Sequence, residues 1–201
     1  MKDDFQPLVI IAGPSGAGKT AGVPIIVSLS DCIARVVTST TRAMRRGEKN
    51  GIDYNFYSDA EFDRKLLLDH FFESDQPYEG KARYGVERAV VESIWGEEKI
   101  PLLAITLPGV AAFKEGFPSA CTIFMHPGSI SELERRLRND PNRANMKEEE
   151  LRRRLRQAED EMADWTDYCD HLVKNPDGGL EIMARDVISI IERHYPECAP
   201  L

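Results

Sequence analysis

Residues 13–20 read Gly13-Pro14-Ser15-Gly16-Ala17-Gly18-Lys19-Thr20, directly behind the apolar run Leu8–Ala12. An unbroken apolar run of this length reads as a strand of a parallel sheet, buried on both faces. Three glycines then permit a turn whose backbone N–H groups converge on one concavity, and such a nest favours an anion. Lys19 adds a charge that can reach β- and γ-phosphates, and the Thr20 hydroxyl can ligate Mg²⁺. Strand, glycines and Lys-Thr stand in the order of a Walker A loop. Residues 13–20 are therefore read as the binding site of a nucleoside triphosphate. The helix behind the loop carries an irregularity, Gly22 and Pro24. A proline there removes an N–H and crowds the carbonyl four residues back, so a kink or loosening is expected one turn in.

The remaining pattern is α/β. Candidate strands are Leu8–Ala12, Ala34–Thr38, Leu102–Thr106, Cys121–Met125 and His171–Val173. Strands separated by helical segments imply a parallel sheet with right-handed crossovers. Ser58-Asp59-Ala60-Glu61 and Ser129-Ile130-Ser131-Glu132 are capping boxes. The first opens a helix with Phe62 and Leu66 on one face, the second a helix with Leu133 and Leu137. Two longer helices carry the stripes Leu151, Leu155, Ala158, Met162 and Leu180, Met183, Val187, Ile190, Ile191, which read as core packing.

A chain of 201 residues can bury a sizeable core as one domain. Its net charge of −8 argues against general nucleic-acid affinity, which needs a broad positive surface. Cys32, Cys121, Cys169 and Cys198 show no paired spacing for a zinc site or redox pair, so they read as inert thiols. His70, His126, His171 and His194 are scattered and read as structural or exposed. The acidic start Met1–Pro7 is no signal peptide, and no apolar run is long enough to span a bilayer. A soluble, cytoplasmic protein without membrane or nucleic-acid partners is expected, as a monomer or homodimer.

Between Thr38 and Phe56 lie three arginines, clustered hydroxyls, an acid and a tyrosine, in a stretch too polar for core. Arg42 and Arg45 could clamp a phosphate in bidentate fashion, with the Tyr54 hydroxyl completing the clamp. The order of residues here resembles the nucleotide-acceptor segment of the guanylate kinase family. It is carried by Ser39, Arg42, Arg45, Glu48, Gly51, Asp53, Tyr54 and Phe56. The resemblance continues through Ser58, Glu61-Phe62, Phe72-Glu73 and Tyr84-Gly85. It extends to Ile123-Phe124, Leu133–Leu137, the lid arginines Arg143 and Arg154, and Val173-Lys174-Asn175 on the adenine side.

The resemblance implies a P-loop fold of three layers with a parallel-sheet core (1–37, 94–128 and 160–201). It adds a small acceptor-binding subdomain (38–93) and a helical lid (129–159). It implies transfer of the γ-phosphoryl of ATP to GMP with Mg²⁺, giving ADP and GDP. Lys19, Arg45, Arg143 and Arg154 would then be catalytic, with Thr20 on the metal and residues 13–20 and the adenine-side Asn175 binding the donor nucleotide. Ser39, Arg42, Arg45, Glu48, Tyr54, Glu73, Tyr84, Gly85 and Thr106 would serve the acceptor. Closure of the lid is expected, because water competes for the γ-phosphate.

The departures from the family pattern cluster. Ala104 and Thr106 stand where the family strand usually ends in two aspartates, and Pro108 stands at a glutamine position. Val86 occupies the place of a Ser or Thr that would help read the guanine edge. Glu73 remains, and a carboxylate can accept from guanine N1–H and N2–H₂, a pair adenine does not present. Three readings stay open at this level: a GMP kinase, a P-loop kinase for another phosphorylated acceptor, and a non-catalytic nucleotide-binding module.

Overall fold

The computed structural model describes residues 6–76, 82–143 and 146–198. The chain begins with β1 (Val9–Ala12), α1 (Lys19–Ser28), β2 (Ile33–Arg35), β3 (Ser39–Thr40), β4 (Asn55–Phe56), α2 (Asp59–Leu67), β5 (Phe71–Asp75) and β6 (Tyr84–Glu87). It continues with α3 (Arg88–Gly96), β7 (Ile100–Ala104), α4 (Leu107–Gly116) and β8 (Cys121–His126). The last elements are α5 (Ile130–Asn139), α6 (Glu148–Asp164), β9 (His171–Lys174) and α7 (Leu180–His194).

Five strands form an all-parallel sheet in the order β2-β7-β1-β8-β9. β1 is buried throughout because helices cover both faces of this sheet. Val9 and Ile11 pack with Val23 and Ile26 of α1 and with Met183, Val187 and Ile191 of α7. Leu8 and Ile10 pack with Val91 and Ile94 of α3 and with Val110 and Phe113 of α4. The phosphate loop thus leaves the C-terminal end of a central strand, where α/β sheets hold ligands.

Two expected strands end elsewhere. The segment Ala34–Thr38 is strand only at its start, within β2. Val36 N still donates to Leu102 O at 2.9 Å, but the chain then leaves the core and Ser39–Thr40 joins a second sheet. The segment Leu102–Thr106 stops at Ala104, because Thr106 is the N-cap of α4 and its hydroxyl accepts from Gly109 N at 3.4 Å.

At Pro24, where a kink or loosening is expected, the helix continues: α1 runs from Lys19 to Ser28, and Pro24 lies on its exposed face, where water can serve the Thr20 carbonyl that lacks a helical donor. Gly22 has a packing reason: a Cβ there would lie 2.5 Å from Met183 Cε, so α1 and α7 approach closely at that point.

The second sheet, in the order β4-β3-β6-β5, is mixed: β3 and β4 are parallel, while β6 runs antiparallel to both β3 and β5. The Ser58 capping box is formed in full, and α2 seats Phe62 on Phe71 with stacked rings 4.6 Å apart. Leu66, on the same helix, stays largely exposed. An irregularity between Phe71 and Glu73 shifts the β5 register. The helices α5 and α6 pack on each other through Leu133, Leu137, Leu151 and Ala158. The second capping box is half formed: Ser129 accepts from Glu132 N at 3.1 Å, while the Glu132 carboxylate turns to Arg136.

No helix among the described residues is long and apolar enough to cross a membrane. Against the scattered spacing in sequence, the fold gathers Cys121, His171 and His194, whose donor atoms lie within 4.8 Å of one another.

Candidate active site

A cleft of about 740 Å³ runs from the phosphate loop to the second sheet and on to α5 and α6. Its donor end is residues 13–20. Gly13 has φ +139° and lies against the Met125 carbonyl, where a Cβ would sit 2.5 Å from the oxygen, so only glycine fits. Gly13, Ser15, Gly16, Gly18, Lys19 and Thr20 line the cleft. Pro14 and Ala17 do not, being buried as the back of the loop. Asn175, expected beside the donor nucleotide, sits behind the loop instead: its Nδ2 donates to Ala17 O at 2.7 Å and the residue is 2% exposed. It braces the loop rather than facing the cleft.

Lys19 Nζ donates to the carbonyls of Gly13 and Pro14. Burial pushes its pKa down to about 8; Glu161 opposes the shift and Arg143 adds to it. Glu161, on α6, was not singled out from the sequence. Its Oε1 accepts from Gln157 Nε2 at 2.8 Å, and its buried Oε2 has no hydrogen-bond partner among the described residues. Burial raises its pKa, against the pull of Lys19.

Three arginines converge between the two ends of the cleft. Arg154 reaches from α6 to the phosphate loop, donating from Nη1 to Ser15 Oγ at 3.1 Å, while Glu150 holds its other edge. Arg143 donates from Nε to Asp140 Oδ2 at 2.8 Å. Its pKa is lowered by burial first and next by the neighbouring Arg154; Arg45 contributes in the same sense. Like charges brought this close call for a polyanion between them.

Arg42 forms a two-pronged pair with Glu48, at 2.9 and 2.8 Å, and donates to Ala43 O as well. Three of its five N–H donors are thus engaged. Glu48 also accepts from Arg45 N at 2.7 Å, which ties the loop into one unit. Burial works against the charge on Glu48, yet these bonds hold its carboxyl below the usual range. Tyr54 lies edge-on to Tyr84 at 6.1 Å, with the Arg42 guanidinium 5.3 Å from its ring. Burial and then Tyr84 push the Tyr54 hydroxyl up, so it remains a donor. Ser39 departs from its expected place. It is fully buried, does not line the cleft, and donates to Glu87 Oε1, supporting the floor of the second sheet from beneath.

The far end of the cleft is acidic. Alternation along β5 sets Glu73 and Asp75 on one face, and both line the cleft together with Gly85, Val86 and Thr106. Glu73 rises to about 7 through burial and then the neighbouring Asp75. Thr106 Oγ1 donates to Asp75 Oδ2 at 3.0 Å. A carboxylate missing from the end of β7 is thus met, across the cleft wall, by one from β5. Nothing local signals this pairing, because Asp75 lies 31 positions from Thr106. Arg136 is a third cleft residue missed from sequence, after Glu161 and Asp75. It lines the cleft near the phosphate loop, donating to Asn175 O at 2.6 Å.

A parallel core with this loop, a mixed sheet with the Arg42–Glu48 pair beside it, and an arginine-bearing helical pair define a P-loop kinase. A sequence model of the guanylate kinase family matches residues 6–194. A guanylate kinase of Bdellovibrio bacteriovorus is 39% identical over 130 residues, covering 65% of this chain and 69% of that protein. One of Hydrogenovibrio crunogenus is 36% identical over 168 residues, covering 84% and 79%. The crystal structure of guanylate kinase from Anaplasma phagocytophilum superposes with a TM-score of 0.72 at 26% identity, covering 94% of this chain and 85% of that one. The chain belongs to the guanylate kinase family.

Proposed function

We propose that the protein transfers the γ-phosphoryl group of ATP to GMP, giving ADP and GDP. The observation that carries this is the cleft itself: two phosphate clamps face one another across Arg45, Arg143 and Arg154, with a carboxylate pair beyond the second clamp. ATP occupies residues 13–20, with Lys19 on its β- and γ-phosphates and Arg136 on the adenine side. Asn175 acts by holding the loop. The acceptor phosphate meets Arg42, Arg45, Tyr54 and Tyr84. Glu48 keeps Arg42 and the Arg45 backbone in place.

Glu73 and Asp75 read the base. Guanine offers N1–H and N2–H₂ on one edge, and two carboxylates supply acceptors for those donors. Adenine offers an acceptor at N1 and is disfavoured there. Asp75, fixed by Thr106, takes the part of the acid absent at position 106, and Val86 contributes only shape.

Phosphoryl transfer is positioning and charge neutralisation. Arg45, Arg143 and Arg154 bridge the two nucleotides and neutralise charge on the transferring group. The subdomain 38–93 and the lid 129–159 swing as units against the core, excluding water. The residues present fit Mg²⁺. Thr20 offers a hydroxyl at the loop, and Glu161 Oε2, a buried oxygen with no partner, offers a hard anionic acceptor for a ligand or its water. Bound there, Mg²⁺ would neutralise charge on the β- and γ-phosphates.

A coupled ADP-release assay with ATP, Mg²⁺ and a panel of nucleoside monophosphates tests this reading. Turnover confined to GMP and dGMP is expected. Turnover on another monophosphate, or ATP binding without turnover, overturns it.

A further inference from the structure

Far from the cleft, three soft-donor side chains meet at the opposite end of the core sheet. Cys121 and His171 are the first residues of β8 and β9, whereas the phosphate loop lies beyond the last residue of β1. Cys121 shares a sheet face with Ile123 and Met125, the face covered by α1 and α7. His171 pairs in register with Ile123 on the neighbouring strand. α7 crosses this face, and its last residue, His194, closes the group. Cys121 is buried, His171 half-buried and His194 exposed.

We propose that Cys121, His171 and His194 form a binding site for a borderline-soft divalent metal of the zinc class. Their donor atoms lie within 4.8 Å of one another. Bonds of about 2.3 Å to sulfur and 2.0 Å to nitrogen place tetrahedral donors roughly 3.5 Å apart, so side-chain adjustments of about an ångström complete the site. The histidine at the end of α7 has one ring nitrogen already engaged, which leaves the other for a metal. His194 Nε2 lies 3.0 Å from the Ser119 carbonyl, which can only accept, so Nε2 carries the proton and Nδ1 holds the lone pair. A metal-bound histidine ordinarily has this outer hydrogen bond. The charged neighbours are Asp170, which faces Cys121 and His171, and Arg193, which faces His171. Asp170 is committed to Thr122 Oγ1 and Lys114 Nζ, at 2.6 and 2.8 Å, so it supplies compensating charge rather than a fourth ligand. Water fills that position on the exposed His194 side.

Binding replaces the Cys121 thiol proton, which leaves to solvent, with a sulfur–metal bond; no redox change occurs. One thiolate and two imidazoles suit zinc and not Mg²⁺, which demands oxygen ligands in an octahedron. The metal staples β8, β9 and the end of α7. It is separate from any Mg²⁺ bound with nucleotide.

The test is a Co²⁺ titration of the nucleotide-free protein, followed by its thiolate-to-cobalt charge-transfer absorption. One equivalent should saturate the band, and one equivalent of Zn²⁺ should bleach it. His194→Ala, an exposed change that leaves the core intact, should weaken binding beyond the roughly 10–100-fold that loss of an outer-shell partner causes. Cys121→Ser should remove the band, and Cys169→Ser should keep it. Zn²⁺ should raise the Tm of the parent protein and leave that of His194→Ala unmoved. No band at stoichiometric cobalt, or a band that survives His194→Ala or Cys121→Ser in folded protein, overturns the site.

Discussion

The Thr106 hydroxyl is shared between two duties: it accepts from Gly109 N at 3.4 Å as the cap of α4, and it donates to Asp75 Oδ2 at 3.0 Å. Position 106 is thereby coupled to position 75. Restoring an acid with Thr106→Asp alone should lower GMP turnover, because two carboxylates at that distance cannot both stay ionised. Asp75→Ala alone should cut the preference for GMP over AMP by about ten- to a hundredfold, the worth of a 1–3 kcal/mol base contact. The double variant should recover preference relative to either single change. A double-mutant cycle in kcat/KM for GMP and AMP measures this; additive losses would separate the two positions.

Glu73 gives a pH signature. Its carboxyl is raised to about 7 by burial and by Asp75, and guanine donors need the ionised form. GMP affinity should therefore fall as pH drops below about 7, approaching tenfold per pH unit, with up to one proton released on binding across that slope and none well above it. Glu73→Gln should bind GMP weakly and lose this slope, leaving only the phosphate's own titration near pH 6. Direct binding measured between pH 5.5 and 8.5 on both proteins is the check. The sign for stability is opposite. A carboxyl raised in the fold favours the native state at low pH, and that contribution is lost as pH rises from the unfolded value through about 7.

Lys19 titrates on the other side of neutrality. Burial lowers it to about 8, and a triphosphate placed against it should raise that value again. ATP binding at pH 8–9 should therefore take up a fraction of a proton, seen as a dependence of calorimetric heat on the buffer's ionisation enthalpy. Lys19→Ala should bind with no such uptake and should abolish turnover while remaining folded. Near-normal turnover in this variant would remove Lys19 from the donor site.

The arginines divide by what they already hold. Arg42 is locked to Glu48, so Arg42→Met should raise the KM for GMP and also destabilise the fold by about 1–3 kcal/mol, leaving a half-buried carboxylate without its partner. Arg154 spans to Ser15, and Arg154→Met should act mainly on kcat, by about 10²–10³. Neither change should alter ATP affinity as strongly as Lys19→Ala. Steady-state kinetics beside urea denaturation separates the two patterns.

The parallel core and the phosphate loop were legible because each is local: an apolar run, three glycines, a lysine at fixed offsets. The segment proposed as the acceptor clamp is local as well, since Arg42, Arg45, Glu48 and Tyr54 lie close together in sequence and all line the cleft. What escaped is set by chain crossings. Asp75 meets Thr106, Glu161 meets Lys19, and Cys121 meets His194 only once the sheet is assembled. Ser39 and Asn175 read from sequence as ligand-facing, and both lie buried outside the cleft lining, because sequence order does not distinguish a side chain facing a cleft from one packed behind it. The two-residue strands β3 and β4 were invisible to periodicity, which needs several alternations to register.

Arg45, Arg143 and Arg154 come from two separately mobile parts of the proposed machinery, and Lys19 from a third. In the proposed mechanism their mutual repulsion opposes full closure before nucleotides arrive, although Arg154 already touches Ser15. One polyanion cancels some of it; only two, end to end, turn the repulsion into a common attraction. On the proposed mechanism the cluster would work as a coincidence detector whose threshold is charge. ATP bound alone should leave the arms parted and its γ-phosphate unassisted, so the same guanidiniums that speed transfer to a nucleotide also withhold that help from water.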